Sequence, residues 1–209
     1  MEGGEHFEQA TALLDGCISQ LLELIATQEG WEDIGDNDGV RGSQRITPDG
    51  RQIIRAVGIL NFSCEEITSF IWDYTKKKSW DGMLDESSVV KSFSDTFRIQ
   101  YERFTAPWPV SYRDFVFAAK IINRDDGILV VAKSINANVP EQRSVVRAEV
   151  VTSGFVLKRI DANTTEMTYL VCVDLKGSLP GFIVKQLGKS QAKNVNKIRH
   201  VMNKARNSS

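Results

Sequence analysis

The sequence predicts an α+β fold in which a curved antiparallel sheet wraps a long C-terminal helix. Residues 5–28 repeat apolar side chains at the three- and four-residue steps of an amphipathic helix. Short strand-like segments separated by turn residues then cover most of residues 87–175. Residues 179–206 resume the helical spacing. We expect an internal hydrophobic cavity between this last helix and the concave face of the sheet.

The first elements are predicted by apolar spacing and turn residues. The N-terminal helix is expected at about residues 5–28, and Gly30 follows it as a stop signal. Residues 31–62 are strand-like and contain turn sequences at 37–39 and 47–50. This stretch therefore predicts two or three antiparallel strands.

A second helix and a run of strands follow. Ser63 and Glu66 have the spacing of a capping box, which predicts a helix from about residue 64 to 76. Beyond it, extended segments joined by tight turns predict an antiparallel meander. These segments are Ser87–Phe93, Thr96–Phe104, Tyr112–Asn123, Gly127–Asn136, Ser144–Ile160 and Glu166–Leu175. The chain then ends in one long amphipathic helix, Leu179–Arg206.

Composition predicts a single globular domain that covers residues 1–209. The chain is 42% hydrophobic and 25% charged, which is typical of a folded domain and excludes disordered and fibrous classes. No apolar run approaches the ~20 residues of a spanning helix, and the N-terminus lacks the features of a secretory signal. Three widely spaced cysteines fit a reducing compartment. We expect a cytoplasmic monomer that is peripheral at membranes.

Positive charge is concentrated at the C-terminal end of the chain. The net charge is −1, yet residues 178–209 contain seven Lys and Arg side chains and no Asp or Glu. Residues 1–177 therefore carry a formal charge of −8. A basic final helix on an acidic body is a candidate contact with an anionic surface.

The sequence lacks the residue patterns of metal, catalytic-triad, cofactor and nucleic-acid sites. The histidines are His6 and His200, near opposite ends of the chain, so neither a metal cluster nor a Ser/His/Asp relay is expected. Glycines form no phosphate loop or dinucleotide motif, and we expect no cofactor. The basic segment is not interleaved with aromatic residues, so nucleic acid is not an expected partner.

Three motifs resemble those of a known family. Residues 107–116 read Pro-Trp-Pro-Val-Ser-Tyr-Arg-Asp-Phe-Val, a stretch that resembles a hallmark of START (StAR-related lipid-transfer) domains. Upstream, residues 78–81 read Lys-Ser-Trp-Asp, similar to the family's tryptophan-acid motif. Downstream, residues 174–180 read Asp-Leu-Lys-Gly-Ser-Leu-Pro, similar to its approach to the final helix. The motifs occur in the family's order and span nearly the whole chain.

The resemblance implies a helix-grip fold with a tunnel for one lipid molecule, lidded by the C-terminal helix and neighbouring loops. Such a tunnel has a physical purpose, because each methylene that leaves a membrane for water costs about 0.8 kcal/mol. A protein cavity removes most of that cost. The function implied is non-enzymatic binding and transfer of a lipid between membranes.

The resemblance also implies polar residues that hold the lipid headgroup. Lys77 and Asp81 match an arginine-aspartate pair near the phosphate in phosphatidylcholine-carrying members. Glu102 matches an acidic position of sterol-binding members, and Arg143 is expected to face it from a later strand. For Lys77 and Glu102, a solvated surface position is the alternative.

Apolar residues of the sheet and the final helix are expected to line the cavity. Phe115 and Phe117 share one strand face, which the family comparison points inward, with ordinary core packing as the alternative. The helix contributes an apolar stripe that faces the sheet. The expected lining is Phe115, Phe117, Val184, Leu187, Val195 and Ile198.

Two features favour contact with a membrane. Trp108 lies in a loop whose matching position carries a tryptophan in a ceramide-carrying member, and an exposed indole suits a membrane interface. Lys185, Lys189, Lys193 and Lys197 recur every four residues along the final helix and can attract anionic headgroups. The alternatives are a Trp108 folded onto the sheet and a solvated face of the helix.

Departures from the family leave the lipid open between phospholipid and sterol. Glu102 and Phe115 occupy two positions of the aromatic choline cage, so that cage is not reproduced. Ala119 occupies the position of a cavity arginine found in sterol-binding members. Residues 174–177 nevertheless resemble the sterol-binding members more than the phosphatidylcholine group.

Two other functions stay open from the sequence. One is an enzyme on a related helix-grip scaffold, such as a cyclase or hydrolase, with Glu102 or Asp81 as general base. The other is a lipid sensor that regulates a partner instead of moving lipid between membranes.

Overall fold

The computed structural model describes residues 2–108, 110–177 and 179–208. Pro109 and Ser178, each part of a motif quoted above, lie outside the described residues. The helices of the described chain are α1 (Glu2–Ala26), α2 (Cys64–Trp72), α3 (Gly181–Ala192) and α4 (Asn194–Asn207), with a 3₁₀ turn at Lys77–Ser79. None of these helices has the length and apolar character needed to span a membrane.

Within the described residues, a ten-stranded sheet forms the body of the fold. Its strands are β1 (Glu32–Asn37), β2 (Val40–Ile46), β3 (Gln52–Leu60), β4 (Leu84–Ser94), β5 (Phe97–Phe104), β6 (Tyr112–Arg124), β7 (Gly127–Ser134), β8 (Val145–Arg147), β9 (Glu149–Asp161) and β10 (Thr164–Asp174). Their order across the sheet is β1-β2-β3-β10-β9-β7-β6-β5-β4, and each neighbouring pair is antiparallel. The predicted helix-grip fold, a curved antiparallel sheet with a C-terminal helix, is confirmed.

The predicted strand Ser144–Ile160 is divided in the structure. Its first part, β8, leaves the meander and pairs in parallel with β6. Two contacts hold it there: the Arg147 guanidinium donates to both carboxylate oxygens of Asp114, at 2.8 and 3.1 Å, and the Ala148 amide donates to the Asp114 carbonyl oxygen at 2.9 Å. The second part, β9, then pairs with β7 and β10.

The predicted C-terminal helix is also divided. The break lies at Lys193, whose backbone (φ −83°, ψ −9°) turns more tightly than an α-helix, so that its amide donates to the Ser190 carbonyl oxygen at 3.2 Å. Asn194, the first residue of α4, is buried and donates to the Gln191 side chain at 3.0 Å. The two helices therefore present their apolar sides to different parts of the molecule.

The capping box begins α2 as predicted. The Glu66 amide donates to the Ser63 hydroxyl oxygen at 3.1 Å, and the Ser63 amide donates to the Glu66 carboxylate at 2.8 Å. These hydrogen bonds from Ser63 hold the pKa of the Glu66 carboxyl below its usual range. The helix ends at Trp72, earlier than predicted, and the chain continues through a turn to residues 77–81.

The two faces of the sheet bury different helices. The outer face, which carries Ile53 and Leu170, packs against Leu14 and Leu21 of α1. The inner face carries their neighbours Ile54 and Val171, as the alternation along a strand requires. On that side the core includes Ile67 and Ile71 of α2 and Val195, Ile198 and Met202 of α4. The helix α3 packs over β2 and β3, at the end of the inner face that the core leaves unfilled.

Candidate ligand-binding cavity

A cavity of about 410 Å³ lies between the inner face of the sheet and α3. This volume falls within the ~300–1,000 Å³ range of small-molecule sites. Most of the side chains in its wall are apolar. Four of the six residues expected to line it do so: Phe115 and Phe117 from β6, and Val184 and Leu187 from α3.

Val195 and Ile198 do not line the cavity, and that expectation is wrong. Both side chains are fully buried in the core between α4, α2 and the sheet. A close approach of α4 to β3 places them there, because a Cβ added to Gly58 would lie 2.7 Å from Val40 Cγ2 and 3.3 Å from Val195 Cγ1. The break at Lys193 thus separates a helix over the cavity from a helix inside the core.

A buried ion pair lies in the cavity wall. Lys77 Nζ donates to Glu102 Oε1 at 2.8 Å and to Oε2 at 2.7 Å. Gln100 Nε2 donates to Glu102 Oε1 at 2.6 Å. The Glu102 side chain is 3% exposed and that of Lys77 is 20% exposed, so water screens the pair weakly. The alternative, in which both are solvated, is wrong.

Asp81 lies in the same wall but forms no pair with Lys77. Its Oδ1 accepts a hydrogen bond from the Met83 amide at 3.3 Å, and no described Lys, Arg or His lies within ion-pair distance of it. The expected pairing fails because α2 ends at Trp72, so these residues occupy a tight turn in which the Asp81 amide donates to the Lys77 carbonyl oxygen at 2.8 Å. Their side chains consequently point to different partners.

Arg143 does not face Glu102, and that prediction is also wrong. It lies in an exposed turn immediately before β8, outside the strands that form the cavity wall. Four residues along the chain, Arg147 binds Asp114 in the buried pair that holds β8. Glu102 takes its positive partner from the turn after α2 instead.

The sequence interpretation missed an arginine in the cavity wall. Arg98 shares the inner face of β5 with Gln100 and Glu102 and is 9% exposed. Its guanidinium carbon lies 3.9 Å from the centre of the Trp72 ring, and Nη2 donates to the Trp72 carbonyl oxygen at 2.7 Å. Burial lowers the pKa of Arg98, against the effect of the Glu102 charge. Counting back from Glu102 in steps of two would have identified it.

The mouth of the cavity is defined here by two loops, the β5–β6 connection and the β10–α3 connection. A second arginine, Arg113, links these two loops. The Arg113 guanidinium donates to the carbonyl oxygens of Leu175 at 3.2 Å and Lys176 at 3.3 Å, across the mouth. From the start of β6 it also donates to the carbonyl oxygen of Ser111, in the β5–β6 connection, at 2.5 Å. Lys176 and Gly177 have positive φ values of 51° and 70°, which turn the chain towards α3.

Large apolar side chains are exposed on the same loops and helix. Trp108 is 92% exposed, so the alternative in which its ring folds onto the sheet is wrong. Phe182, in the first turn of α3, is 70% exposed. Lys185, Lys189 and Lys193 are exposed as well. Lys197 differs, since it is half-buried and donates to Asn194 Oδ1 at 3.3 Å.

Comparison with known proteins decides the family. The sequence model of the START domain family matches residues 19–207 of the chain. The protein belongs to the START domain family. The resemblance inferred from the three motifs is therefore confirmed.

Relatives of this START domain include the mitochondrial steroidogenic acute regulatory protein of chicken (Gallus gallus). It is 26% identical over 179 residues, which are 81% of this chain and 63% of that protein. The chain thus spans about three-fifths of the length of the curated relatives it matches.

Solved structures confirm the fold. Human StAR-related lipid transfer protein 5 superposes with a TM-score of 0.86 at 19% identity, over 95% of this chain and 99% of that one. The Zhui aromatase/cyclase of a Streptomyces species shares only the fold, with a TM-score of 0.51 at 5% identity, over 72% of this chain and 90% of that one.

The Lys77–Glu102 pair makes a testable prediction about stability. Lys77→Met should lower the free energy of unfolding by about 3 kcal/mol, because it leaves a buried carboxylate without its partner. Adding Glu102→Gln should recover much of that loss, since the second change removes the stranded charge. Urea unfolding of the wild type, both single variants and the double variant measures the coupling.

Lys78→Met is the matched control, because Lys78 is adjacent and exposed. It should change the free energy of unfolding by less than about 0.5 kcal/mol. Additive effects of the two cavity substitutions would contradict the buried pair.

Proposed function

We propose that this START domain binds a single amphiphilic lipid in its cavity and transfers it between membranes without changing it chemically. The observation that carries the proposal is the cavity of about 410 Å³, whose mostly apolar wall contains a small buried polar cluster. An apolar wall replaces the membrane interior for the tail of a lipid, and the polar cluster can bind one polar group. The name of the structural neighbour, a lipid transfer protein, supports the same function.

The ligand class remains phospholipid or sterol. The volume of about 410 Å³ lies in the lower part of the ~300–1,000 Å³ range of small-molecule sites, which favours one compact amphiphile. A phospholipid with two long chains requires the mouth to widen. The relative named for steroidogenic regulation favours a sterol, and the binding experiment below distinguishes the two classes.

The arrangement of Glu102 argues against an enzyme. Its carboxylate oxygens already accept hydrogen bonds from Lys77 and Gln100, so it is poorly placed to remove a proton from a substrate. Asp81 is less engaged, but no described histidine, and no nucleophile paired with a base, accompanies it in the wall. The shared fold of a cyclase carries no chemistry to this chain.

Lipid exchange requires the cavity mouth to widen. The loops there are joined by Arg113, which binds backbone carbonyl oxygens on both sides and no carboxylate within ion-pair distance among the described residues. Neutral acceptors hold an arginine less strongly than an acid does. We expect these hydrogen bonds to break when anionic headgroups compete for Arg113, which would free α3 to move outward.

The exposed side chains near the mouth suit a membrane surface. The indole of Trp108 and the ring of Phe182 can enter the headgroup region, where aromatic side chains are favoured. The exposed lysines of α3 and Lys193 can bind anionic headgroups at about 1 kcal/mol each. Together these groups predict a peripheral contact that brings the mouth to the membrane.

The binding function has a direct test. Purified protein incubated with liposomes that contain phosphatidylcholine, phosphatidylserine, ceramide and cholesterol should retain one lipid molecule per chain after separation. Native mass spectrometry would give the stoichiometry, and lipid mass spectrometry the class of ligand and its unchanged mass. Protein that retains no lipid would refute the proposal, and a ligand of altered mass would favour the enzyme.

Trp108 should act in transfer rather than in holding the ligand. Trp108→Ala should slow vesicle-to-vesicle transfer several-fold and leave the amount of bound lipid nearly unchanged, because the side chain is exposed. A fluorescence-dequenching transfer assay measures the rate. Ile160→Ala is a suitable control, since Ile160 is also exposed and lies beside the β9–β10 turn. Equal transfer by the wild type and Trp108→Ala would remove the proposed role, and absence of transfer by the wild type would favour a sensor.

The four lysines spaced along the C-terminal segment should determine the preference of the protein for anionic membranes. Replacing Lys185, Lys189, Lys193 and Lys197 by Gln should weaken binding to phosphatidylserine vesicles, most clearly at low salt, where screening is weak. Vesicle flotation at several salt concentrations measures the effect. The matched control replaces four other lysines by Gln: Lys78, Lys91, Lys120 and Lys158. The same loss in both variants would show that only net charge matters.

A further inference from the structure

The helix α3 comes very close to β3 at Gly188. A Cβ atom added to Gly188 would lie 2.6 Å from Gln52 Oε1, 2.8 Å from Nε2 and 2.9 Å from Cδ, closer than the Cβ atoms of proteins approach other atoms. Glycine is otherwise disfavoured inside a helix relative to alanine. A side chain at position 188 therefore does not fit between α3 and the Gln52 amide as they are placed.

The Gln52 amide is held in position by other polar side chains of the sheet. Its Nε2 donates to Gln44 Oε1 at 2.6 Å. Gln44 Nε2 in turn donates to Glu32 Oε2 at 2.9 Å. The three side chains form a row from β3 through β2 to β1, so Gln52 can move away from α3 only by giving up a hydrogen bond.

The first turns of α3 are held less firmly than its end. Among the described residues of α3, only Ile183 and Gly188 are buried. At the end of the helix, the Tyr169 hydroxyl donates to Gln191 Oε1 at 2.9 Å, and Asn194 Nδ2 donates to the same oxygen at 3.0 Å. If the contact at Gly188 is made too tight, we therefore expect the first turns of α3 to move away from the sheet.

The contact between Gly188 and Gln52 lies in the wall of the cavity. Both residues line it, as do Val184 and Leu187 in the preceding turn of α3. A small outward movement of the helix at this point consequently opens the cavity along β3. The core between α4 and the sheet does not have to change for this movement, because its side chains pack elsewhere.

We propose that Gly188 is a positioning residue for ligand exchange. Because it has no side chain, α3 packs directly on the Gln52 amide and keeps the cavity covered, and the closeness of this contact sets the rate at which a bound lipid leaves. The inference rests on the proposed lipid-binding function and adds the contact that controls access to the cavity.

Gly188→Ala tests the contact. Protein loaded with a fluorescent phosphatidylcholine or a fluorescent cholesterol, whichever it retains, should release the probe to unlabelled vesicles about tenfold faster than the wild type. That change is expected when one methyl group overpacks a tight contact. Alanine favours the helix over glycine, so unfolding of α3 would not explain faster release.

Hydrogen exchange of the ligand-free protein, measured by mass spectrometry, gives a second readout that needs no lipid. Peptides from the first turns of α3 should exchange several-fold faster in Gly188→Ala than in the wild type, whereas peptides from α4 should be unchanged. This pattern distinguishes a displaced cover from a general loss of stability, which would accelerate exchange in both helices.

A second substitution should reverse the effect. Gln52→Ala removes the amide that the new methyl group would meet, so the double variant Gly188→Ala/Gln52→Ala should return both readouts to within about twofold of those of Gln52→Ala alone. Circular dichroism checks that each variant folds. If Gly188→Ala does not fold, recovery of folding in the double variant supports the same contact, and failure to recover contradicts it.

Gly16→Ala is the matched control. Gly16 is also inside a helix, α1, but it is exposed, and a Cβ atom added there would have no neighbour within 4 Å. This variant gains the helix preference of alanine without a new contact. Its release rate and the hydrogen exchange of α3 should remain those of the wild type.

The outcomes separate this inference from the proposed function. Gly188→Ala with wild-type release and hydrogen exchange, or a double variant that keeps the full effect of Gly188→Ala, overturns the role of Gly188 while lipid binding stands. Wild-type protein that retains no lipid from liposomes overturns the proposed function and the role in ligand exchange, even where hydrogen exchange shows the contact itself.

Discussion

The buried contact between Lys77 and Glu102 connects the parts of the molecule that form the cavity. Glu102 lies on the inner face of a strand that is surrounded by apolar side chains, where an unpaired carboxylate would be costly. Lys77 reaches it from the turn after α2, so the pair links that turn to the sheet. Because α2 begins at the Ser63 capping box, the hydrogen bonds at its start also help to position the cavity wall. The apolar space beyond the pair can then stay unfilled while the polar groups remain satisfied.

The C-terminal helix is divided into α3, which covers the cavity, and α4, which packs in the core. Val195 and Ile198 of α4 are locked in the core, whereas α3 covers the cavity and buries only Ile183 and Gly188. A segment with few buried apolar side chains opens at a lower free-energy cost than the core does. In the proposed transfer function, the break at Lys193 would be the point about which α3 moves while α4 stays in place. This arrangement is suited to a cover that opens at a membrane.

Polar groups follow a gradient along β5 from the deep end of the cavity to its mouth. Arg98 is buried with spare donors, Glu102 is fully paired, and Phe104 ends the row with an apolar ring. At the mouth, Arg113 is held only by carbonyl oxygens, and the indole of Trp108 lies in solvent. In the proposed function, the polar groups of β5 would meet the polar part of the lipid, and the side chains at the mouth would meet the membrane.

The sequence by itself determined the order of helices and strands, the capping box and the family, because these depend on local spacing and on short motifs. The alternation of side chains between the two faces of β5 also follows from the sequence, and it places Arg98 on the same face as Glu102. The tertiary structure alone decided the partners: Lys77 binds Glu102 instead of Asp81, and Arg147 binds Asp114 while Arg143 lies in solvent. Such pairings depend on where α2 stops and where β8 departs from the meander. Those breaks arise from contacts between residues far apart in the chain, which periodicity does not record.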